Sequence, residues 1–338
     1  MAIDQGHEVL YFGSYRGQEQ NACYKAGILF RGFRSEPFYG LKTVKGWRSG
    51  WNLYAAGFAA KKALKKIDPD AVFSTGGYSS SPVISAAASL GIPYVILEQN
   101  SIPGRVNKKA GPEAHAVCTV FGATGASFLD SRVVRTGMPI RRELRAAASA
   151  GTSPTGLPLI LVMGGSQGAA ALNSAAMSTA LQLRPRQARW LHLTGKTHFE
   201  EVARRASQEM GSVEYEVRPF MEAPEMAEAL ASASLAVCRS GAGTVTELAA
   251  FRLPSVLVPY PAAHGDHQHA NALEIVALGG ATIVPQASLS SELTGAVDGW
   301  LESPERRSKA GEALSAWDEP EAPAKIMSLL QEAAEVGL

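Results

Sequence analysis

Twice along its length the chain sets out short apolar runs, each followed by a stretch with helical spacing, and a Gly/Pro-rich segment separates the two series. The runs at residues 9–12, 71–74, 94–97 and 116–121 read as buried strands, with helices at 51–66 and 82–90 among them. The second series has strands at 159–163, 190–194, 235–238 and 255–259, and helices at 168–183, 198–210, 244–251 and 267–278. Strand–helix alternation of this kind needs parallel sheets covered on both faces. The break, AAASAGTSPTGLP at 146–158, is small and polar and reads as a linker. The expected organisation is an N-terminal domain over 1–145, a linker over 146–158, a C-terminal domain over 159–318, and a last helix over 319–338 packing back on the N-terminal domain. A length of 338 residues suits two cores better than one.

The composition is that of a soluble globular protein, 46% hydrophobic and 19% charged. A net charge of +1 gives no global field for nucleic acid, so anion or membrane affinity has to come from a local patch. Cys23, Cys118 and Cys238 are far apart and odd in number, which suggests neither a metal site nor a disulfide framework and fits a reducing cytoplasm. No apolar run is long enough for a transmembrane helix, and the opening MAIDQGHEV lacks the pattern of a signal peptide.

Three glycine-rich turns fall where a strand gives way to a helix. The first, STGGYSSSP at 74–82, offers Gly76, Gly77 and Tyr78, and on its own reads equally well as an ordinary tight turn. The second, MGGSQGA at 163–169, carries Ser166 as a donor to phosphate or ribose. The third, CRSGAGTVTE at 238–247, presents Ala242, Gly243, Thr244, Val245 and Thr246 at a helix start, an anion seat. Glu247 stands about one turn into that helix, where a carboxylate suits a ribose diol. The dinucleotide fingerprint and the triphosphate P-loop are both absent. In an open α/β sheet such turns lie at the carboxyl ends of the strands, where ligands bind. Together they point to a nucleotide sugar. The turn HGDHQHAN at 264–271 offers His267 and Gln268 to sugar hydroxyls; His267 and His269 diverge on a helix, which disfavours a metal, and none is expected.

These blocks together resemble the MurG family over essentially the whole chain from Gly6: GGYSSSP, GIPYVILEQNSIPGRVNK, GGSQGA, CRSGAGTVTELA and DHQHANA. The resemblance implies the GT-B fold, two Rossmann-like doubly wound α/β domains facing a cleft, with acceptor in the N-terminal domain and donor in the C-terminal one. It implies an inverting N-acetylglucosaminyltransferase that moves GlcNAc from UDP-GlcNAc to lipid I (undecaprenyl-pyrophosphoryl-MurNAc-pentapeptide), giving lipid II for the cell wall. No cofactor is implied. Residue by residue, Ser166 and the turn from Ala242 to Glu247 match diphosphate and ribose contacts, and Met221 matches the position whose backbone pairs with uracil. Gln268 matches the reader of the GlcNAc hydroxyls, with His267 beside it; Arg141 matches an arginine after the N-domain's last strand that faces the donor, and Asn100 a cleft-facing asparagine. Met138 stands where the family usually has Asn, and Gly243 where a larger residue is common.

The family opens with a strand and a GGTGGH loop that supplies a proposed catalytic base. This chain opens at a segment resembling the end of the first helix and the second strand, so the N-terminal domain is expected to lack its first strand, leaving 9–12 and 71–74 flanking a gap. Such a beginning reads as a late start codon or a fragment. His7 lies at the wrong end of its strand to replace the base, and Glu98 is the nearest remaining candidate; its plainer reading is a structural carboxylate bonded to backbone amides. Three other functions compete: an inactive UDP-sugar-binding remnant, a related lipid glycosyltransferase, and a UDP-GlcNAc 2-epimerase. Leu41, Lys42, Lys45, Trp47, Arg48 and Trp51 mix aromatic rings and cations and suit a peripheral patch on the anionic cytoplasmic face of the cell membrane.

Overall fold

The structure, a computed structural model, describes residues 1–15, 19–33, 44–151, 156–165, 169–183 and 187–337, without the side chains of 44–50. Contacts divide the chain into two units, 1–138 with 321–338, and 139–320.

The first unit contains β1 (Leu10–Ser14), α1 (Glu19–Lys25), β2 (Leu29–Phe33), α2 (Val44–Ile67), β3 (Val72–Ser74), α3 (Ser81–Leu90), β4 (Tyr94–Glu98), α4 (Arg105–Ala110), β5 (Ala116–Thr119) and β6 (Val133–Arg135). The second contains α5 (Arg142–Ala150), β7 (Leu159–Met163), α6 (Ala170–Gln182), β8 (Arg189–Leu193), α7 (Phe199–Glu209), β9 (Tyr215–Arg218), α8 (Ala223–Ser232), β10 (Leu235–Cys238), α9 (Ala242–Ala250), β11 (Ser255–Leu257), α10 (His267–Ala277), β12 (Ala281–Ile283), α11 (Leu289–Leu301) and α12 (Pro304–Trp317). A last helix, α13 (Ala322–Gly337), returns to the first unit, where Glu332 meets Arg132 at 2.8 Å.

In the second unit all strands pair in parallel, in the order β12-β11-β10-β7-β8-β9. Counted from β7 this is 3-2-1-4-5-6, the doubly wound order with its reversal between the first and fourth strands. The central strands are apolar along their length because helices cover both faces, and Ile160, Val162, Val237, Val256, Met177 and Trp300 meet in one core.

The first unit has the same plan in two pieces. β1 pairs with β2, and β3 to β6 form a separate parallel sheet. Among the described residues β1 and β3 are not paired and belong to separate sheets. The β1–β2 ribbon is held by stacked rings, Phe12 on Phe33 at 5.5 Å, and by Phe33 packing with Ala56, Ala60 and Leu64 of α2.

The expected boundaries need correction. The first unit ends at Met138, not at residue 145, and the start of the expected linker is the end of α5. That helix belongs to the second unit because Leu144 is fully buried and the Arg145 guanidinium holds the Asp318 carboxylate with both Nη atoms. Four strands, β2, β6, β9 and β12, escaped the sequence reading; each is short, and LFRGF, VVR and YEVR carry charge.

One buried network ties the second glycine turn to the sheet. Asn173, in the first turn of α6, donates from Nδ2 to Thr194 O at 3.0 Å, so its Oδ1 must accept from His192 Nε2 at 3.1 Å. That places the ring proton on Nε2 and leaves Nδ1 to accept from Tyr215 Oη at 2.7 Å. The imidazole is therefore neutral, and burial pulls its pKa from 6.5 to about 4. A histidine that gains charge only on unfolding stabilises the fold fully above its unfolded pKa. The contribution is lost as pH falls from about 6.5 to about 4, and amounts to about 3 kcal/mol. We expect urea unfolding of the wild type to weaken by that order between pH 7 and pH 4.5. His192→Gln should be weaker at pH 7 with a flatter pH dependence, and an equally steep profile would assign the loss to other groups.

Candidate functional site

The second and third glycine turns leave the sheet side by side. β7 and β10 are neighbours, and their last residues, Met163 and Cys238, are register partners. The strand order reverses between them, so the carboxyl ends of β7 and β10 meet at the position where doubly wound sheets bind ligands. Gly165 takes φ +89, a conformation that costs glycine nothing. Ser166 lies outside the described residues.

α9 starts at Ala242, two residues before the expected Thr244, with Gly241 as an uncapped N-cap. Its first intrahelical bond is Val245 N–H to Gly241 O, so the amides of Ala242, Gly243 and Thr244 are left for a ligand. Val245 and Thr246 are buried, and Thr246 Oγ1 is spent on Ala242 O at 2.9 Å, so these two support the helix rather than present side chains. Ser240 Oγ is buried in the turn without a partner among the described residues.

Two side chains without an assigned role in the sequence fix this turn. Arg239 donates to Val258 O at 3.0 Å, Pro259 O at 3.2 Å and Gln286 Oε1 at 2.6 Å, and lies over the Tyr260 ring. Asn271 on α10 donates to Ser240 O at 3.1 Å. Together they lock the third turn to the segment carrying His267 and Gln268. Gln268 Oε1 accepts from Tyr260 N–H at 2.9 Å, leaving its Nε2 donors free, and His267 Nδ1 donates to His264 O at 2.7 Å, leaving Nε2. Met221 is buried ahead of α8, and its backbone N–H and C=O have no partner among the described residues.

Glu247, on the second turn of α9, is paired with Arg141, Nη2 to Oε1 at 3.3 Å. Burial raises the carboxyl's pKa and the arginine opposes that shift. Arg141 was expected in the N-terminal domain. It belongs to the second unit because α5 packs on α8 and α9. A groove of about 860 Å³ along the edge strand β12, lined by Val276, Thr282 and Arg306, contains none of these residues.

In the first unit, Gly76 and Gly77 turn at φ +81 and +85, and Tyr78 is exposed. A Cβ on Gly76 would come within 2.6 Å of the Asn107 amide, so only glycine fits. Asn107, another residue the sequence reading passed over, donates to Glu98 Oε2 at 2.9 Å and to Leu97 O at 3.3 Å. Glu98 also accepts from Gly104 N–H at 2.9 Å and, at Oε1, from Asn100 N–H at 3.0 Å. Both oxygens of this buried carboxylate are occupied. These bonds fit the structural alternative expected for Glu98, an anchor for the loop of Asn100, whose carbonyl in turn accepts from Thr124 Oγ1. His7 is exposed ahead of β1, far from that strand's carboxyl end at Ser14.

The glycosyltransferase family 28 N-terminal domain matches residues 3–119, and the family's C-terminal domain matches residues 159–322. The chain belongs to this family of glycosyltransferases, and within it to the MurG family. It is 32% identical to the UDP-N-acetylglucosamine–N-acetylmuramyl-(pentapeptide) pyrophosphoryl-undecaprenol N-acetylglucosamine transferase of Bacillus licheniformis, covering 96% of this chain and 90% of that protein. The crystal structure of Acinetobacter baumannii MurG superposes with a TM-score of 0.79 at 29% identity, covering 98% of this chain and 93% of the other. A UDP-GlcNAc 2-epimerase from Neisseria meningitidis, bound to UDP-GlcNAc, shares the fold at a TM-score of 0.64 and 12% identity, over 96% and 92% of the two chains.

An anchor and a base respond differently to Glu98→Gln. An amide must turn an N–H toward one of three donors, which costs roughly 1–3 kcal/mol. We expect lower stability in urea, with the acidic limb of the transferase rate–pH profile unmoved. Loss of that limb at unchanged stability would restore Glu98 as the base.

Proposed function

We propose that the chain transfers GlcNAc from UDP-GlcNAc to lipid I, forming lipid II in peptidoglycan synthesis. The observation that carries this reading is the pair of glycine turns at the β7/β10 reversal, with Glu247 one turn along α9. In it, the amides of Ala242, Gly243 and Thr244 bind the diphosphate, Glu247 takes the ribose diol, and the backbone of Met221 pairs with uracil. Ser166 adds a phosphate contact, and Gln268 Nε2, with His267 beside it, reads the sugar hydroxyls. As the glycosidic bond to UDP breaks, negative charge builds on the leaving diphosphate. Free amides and the positive end of α9 stabilise that charge more than the ground state, which lowers the barrier. On the acceptor side, the reading assigns lipid I to the Gly76–Gly77–Tyr78 turn and the loop of Asn100 in the first unit.

Lipid I is a membrane substrate, and no helix among the described residues is long and apolar enough to cross a membrane. In this reading the chain works on the cytoplasmic face as a peripheral protein. Leu41 and Lys42 lie outside the described residues, as do the side chains of Lys45, Trp47 and Arg48. Support comes from α2, where Trp51, Tyr54 and Phe58 are 70%, 72% and 70% exposed. Their spacing puts them on one face, continued by the exposed Lys62 and Lys65. Rings at the headgroup level and cations against anionic lipid both favour docking. Replacing Trp51, Tyr54 and Phe58 with Ser together should cut co-sedimentation with phosphatidylglycerol vesicles severalfold and leave UDP binding unchanged. Undiminished sedimentation would move the membrane contact off α2.

The catalytic test is incorporation of labelled GlcNAc from UDP-GlcNAc into a lipid I analogue. Gln268→Met keeps the side-chain length, adds no charge, and removes the amide donors together with the acceptor for Tyr260 N–H. It should lower kcat/KM for UDP-GlcNAc about tenfold or more while sparing UDP affinity. Equal losses for both ligands would place Gln268 in nucleotide binding or in the fold. Donor binding without turnover in the wild type would reduce the chain to a UDP-sugar-binding protein.

A further inference from the structure

Arg141 is held in place from behind. It is the N-cap residue of α5, and α5 is fixed by the buried Leu144 and by the Arg145–Asp318 pair. Only its side chain has freedom, at 43% exposed, against 23% for Glu247. The contact between them is a single Nη2–Oε1 hydrogen bond rather than a two-pronged pair. Most of the guanidinium's donors are thus uncommitted to Glu247. Gly243 lies one helical turn before Glu247, on the same face of α9, and carries no side chain. About 5.4 Å of helix separates Glu247 from the amides of the first turn, and Gly243 places no side chain between them.

This geometry sets two demands in conflict. A ribose diol needs the Glu247 carboxylate as acceptor, and Arg141 holds one of its oxygens. A diphosphate at the first turn of α9 offers the guanidinium a more highly charged, two-pronged partner one turn away. We propose that Arg141 is a ligand-exchanged latch, passing from Glu247 to the diphosphate as a nucleotide enters, so that the site selects nucleoside diphosphates against bare nucleosides. The proposal rests on the donor-site reading given above. A nucleoside whose two hydroxyls take both carboxylate oxygens competes with Arg141 for Oε1 and gives the arginine nothing in return. A nucleoside diphosphate releases Glu247 to the ribose and takes up the arginine. Arg141 is then a specificity-determining residue acting at both ends of the ligand.

The latch requires effects of opposite sign from one substitution. Uridine and UDP would be titrated as competitors of a fluorescent UDP analogue on the full chain, in the wild type, Arg141→Ala and Glu247→Ala. In Arg141→Ala, UDP should weaken about tenfold or more, through loss of a charge-assisted contact. Uridine should bind roughly two- to fivefold more tightly, the scale of one partly exposed ion pair no longer to be broken. Glu247→Ala should weaken both ligands. If uridine is unchanged or weaker in Arg141→Ala while UDP weakens, Arg141 is a simple phosphate contact or a support, and the latch is overturned. Arg141→Lys separates these further, since an ammonium that still pairs with Glu247 should leave uridine close to wild type. If the wild type fails to bind UDP, or Glu247→Ala binds it unchanged, the donor-site reading fails first, and the latch with it.

Discussion

The second unit of this protein depends on one pairing, the register of β7 with β10. Met163 and Cys238 are the last bonded partners of adjacent parallel strands, and beyond them the chain must go opposite ways because the strand order reverses there. A parallel sheet forces each strand to hand over to a crossover helix, so two helix starts arise beside each other without any ligand present. Glycine in both turns removes the side chains that would fill the space. In the proposed reading, Glu247, Met221 and Gln268 complete the site from other elements, before and after β10, around this fixed corner.

Glycine-rich turns have few side chains of their own to hold them, and in both units the loops are fixed from outside by a buried or half-buried polar group. In the second unit Arg239 and Asn271 tie 239–243 to the following loop, and Asn173 with His192 and Tyr215 holds the start of α6. In the first unit Glu98 and Asn107 do the same between the Gly76 turn and the loop of Asn100. Arg239 and Glu98 each satisfy two backbone groups, which costs less than leaving those groups buried and unpaired. Conserving the loop shape and conserving the contact with ligand are then demands on different residues.

This division explains what the sequence disclosed. The alternating pattern, the three glycine turns and the family resemblance were legible because strand burial and helix starts leave local signatures. The anchors left none. Arg141 and Glu247 are 106 residues apart, Arg145 and Asp318 173 apart, and nothing local in either segment announces its partner. The linker expected at 146–158 begins too early for the same reason: residues 146–150 end a helix whose attachment is made by Leu144 and Arg145 just before them. Strands such as VVR and ATI are too short for periodicity to speak, and they exist because a neighbour supplies their hydrogen bonds. Glu98 was drawn toward catalysis by its motif, yet its donors lie within nine residues of it, and the anchor role was readable from the same block.

The first unit shows how side chains can stand in for a ladder. Isolated two-stranded ribbons are marginal in water. β1 and β2 have only each other as strand partners among the described residues, so their hold on the unit must come from elsewhere. It comes from Phe12 stacked on Phe33, and from Phe33 against Ala56, Ala60 and Leu64 on the inner face of α2. Small alanines on that face let the ribbon approach closely. The outer face of the same helix carries Trp51, Tyr54 and Phe58 in solvent. The two faces are rigidly coupled because a helix cannot rotate one without the other. Any surface that takes up the aromatic face therefore bears, through α2, on a ribbon that among the described residues is paired with no other strand of the unit.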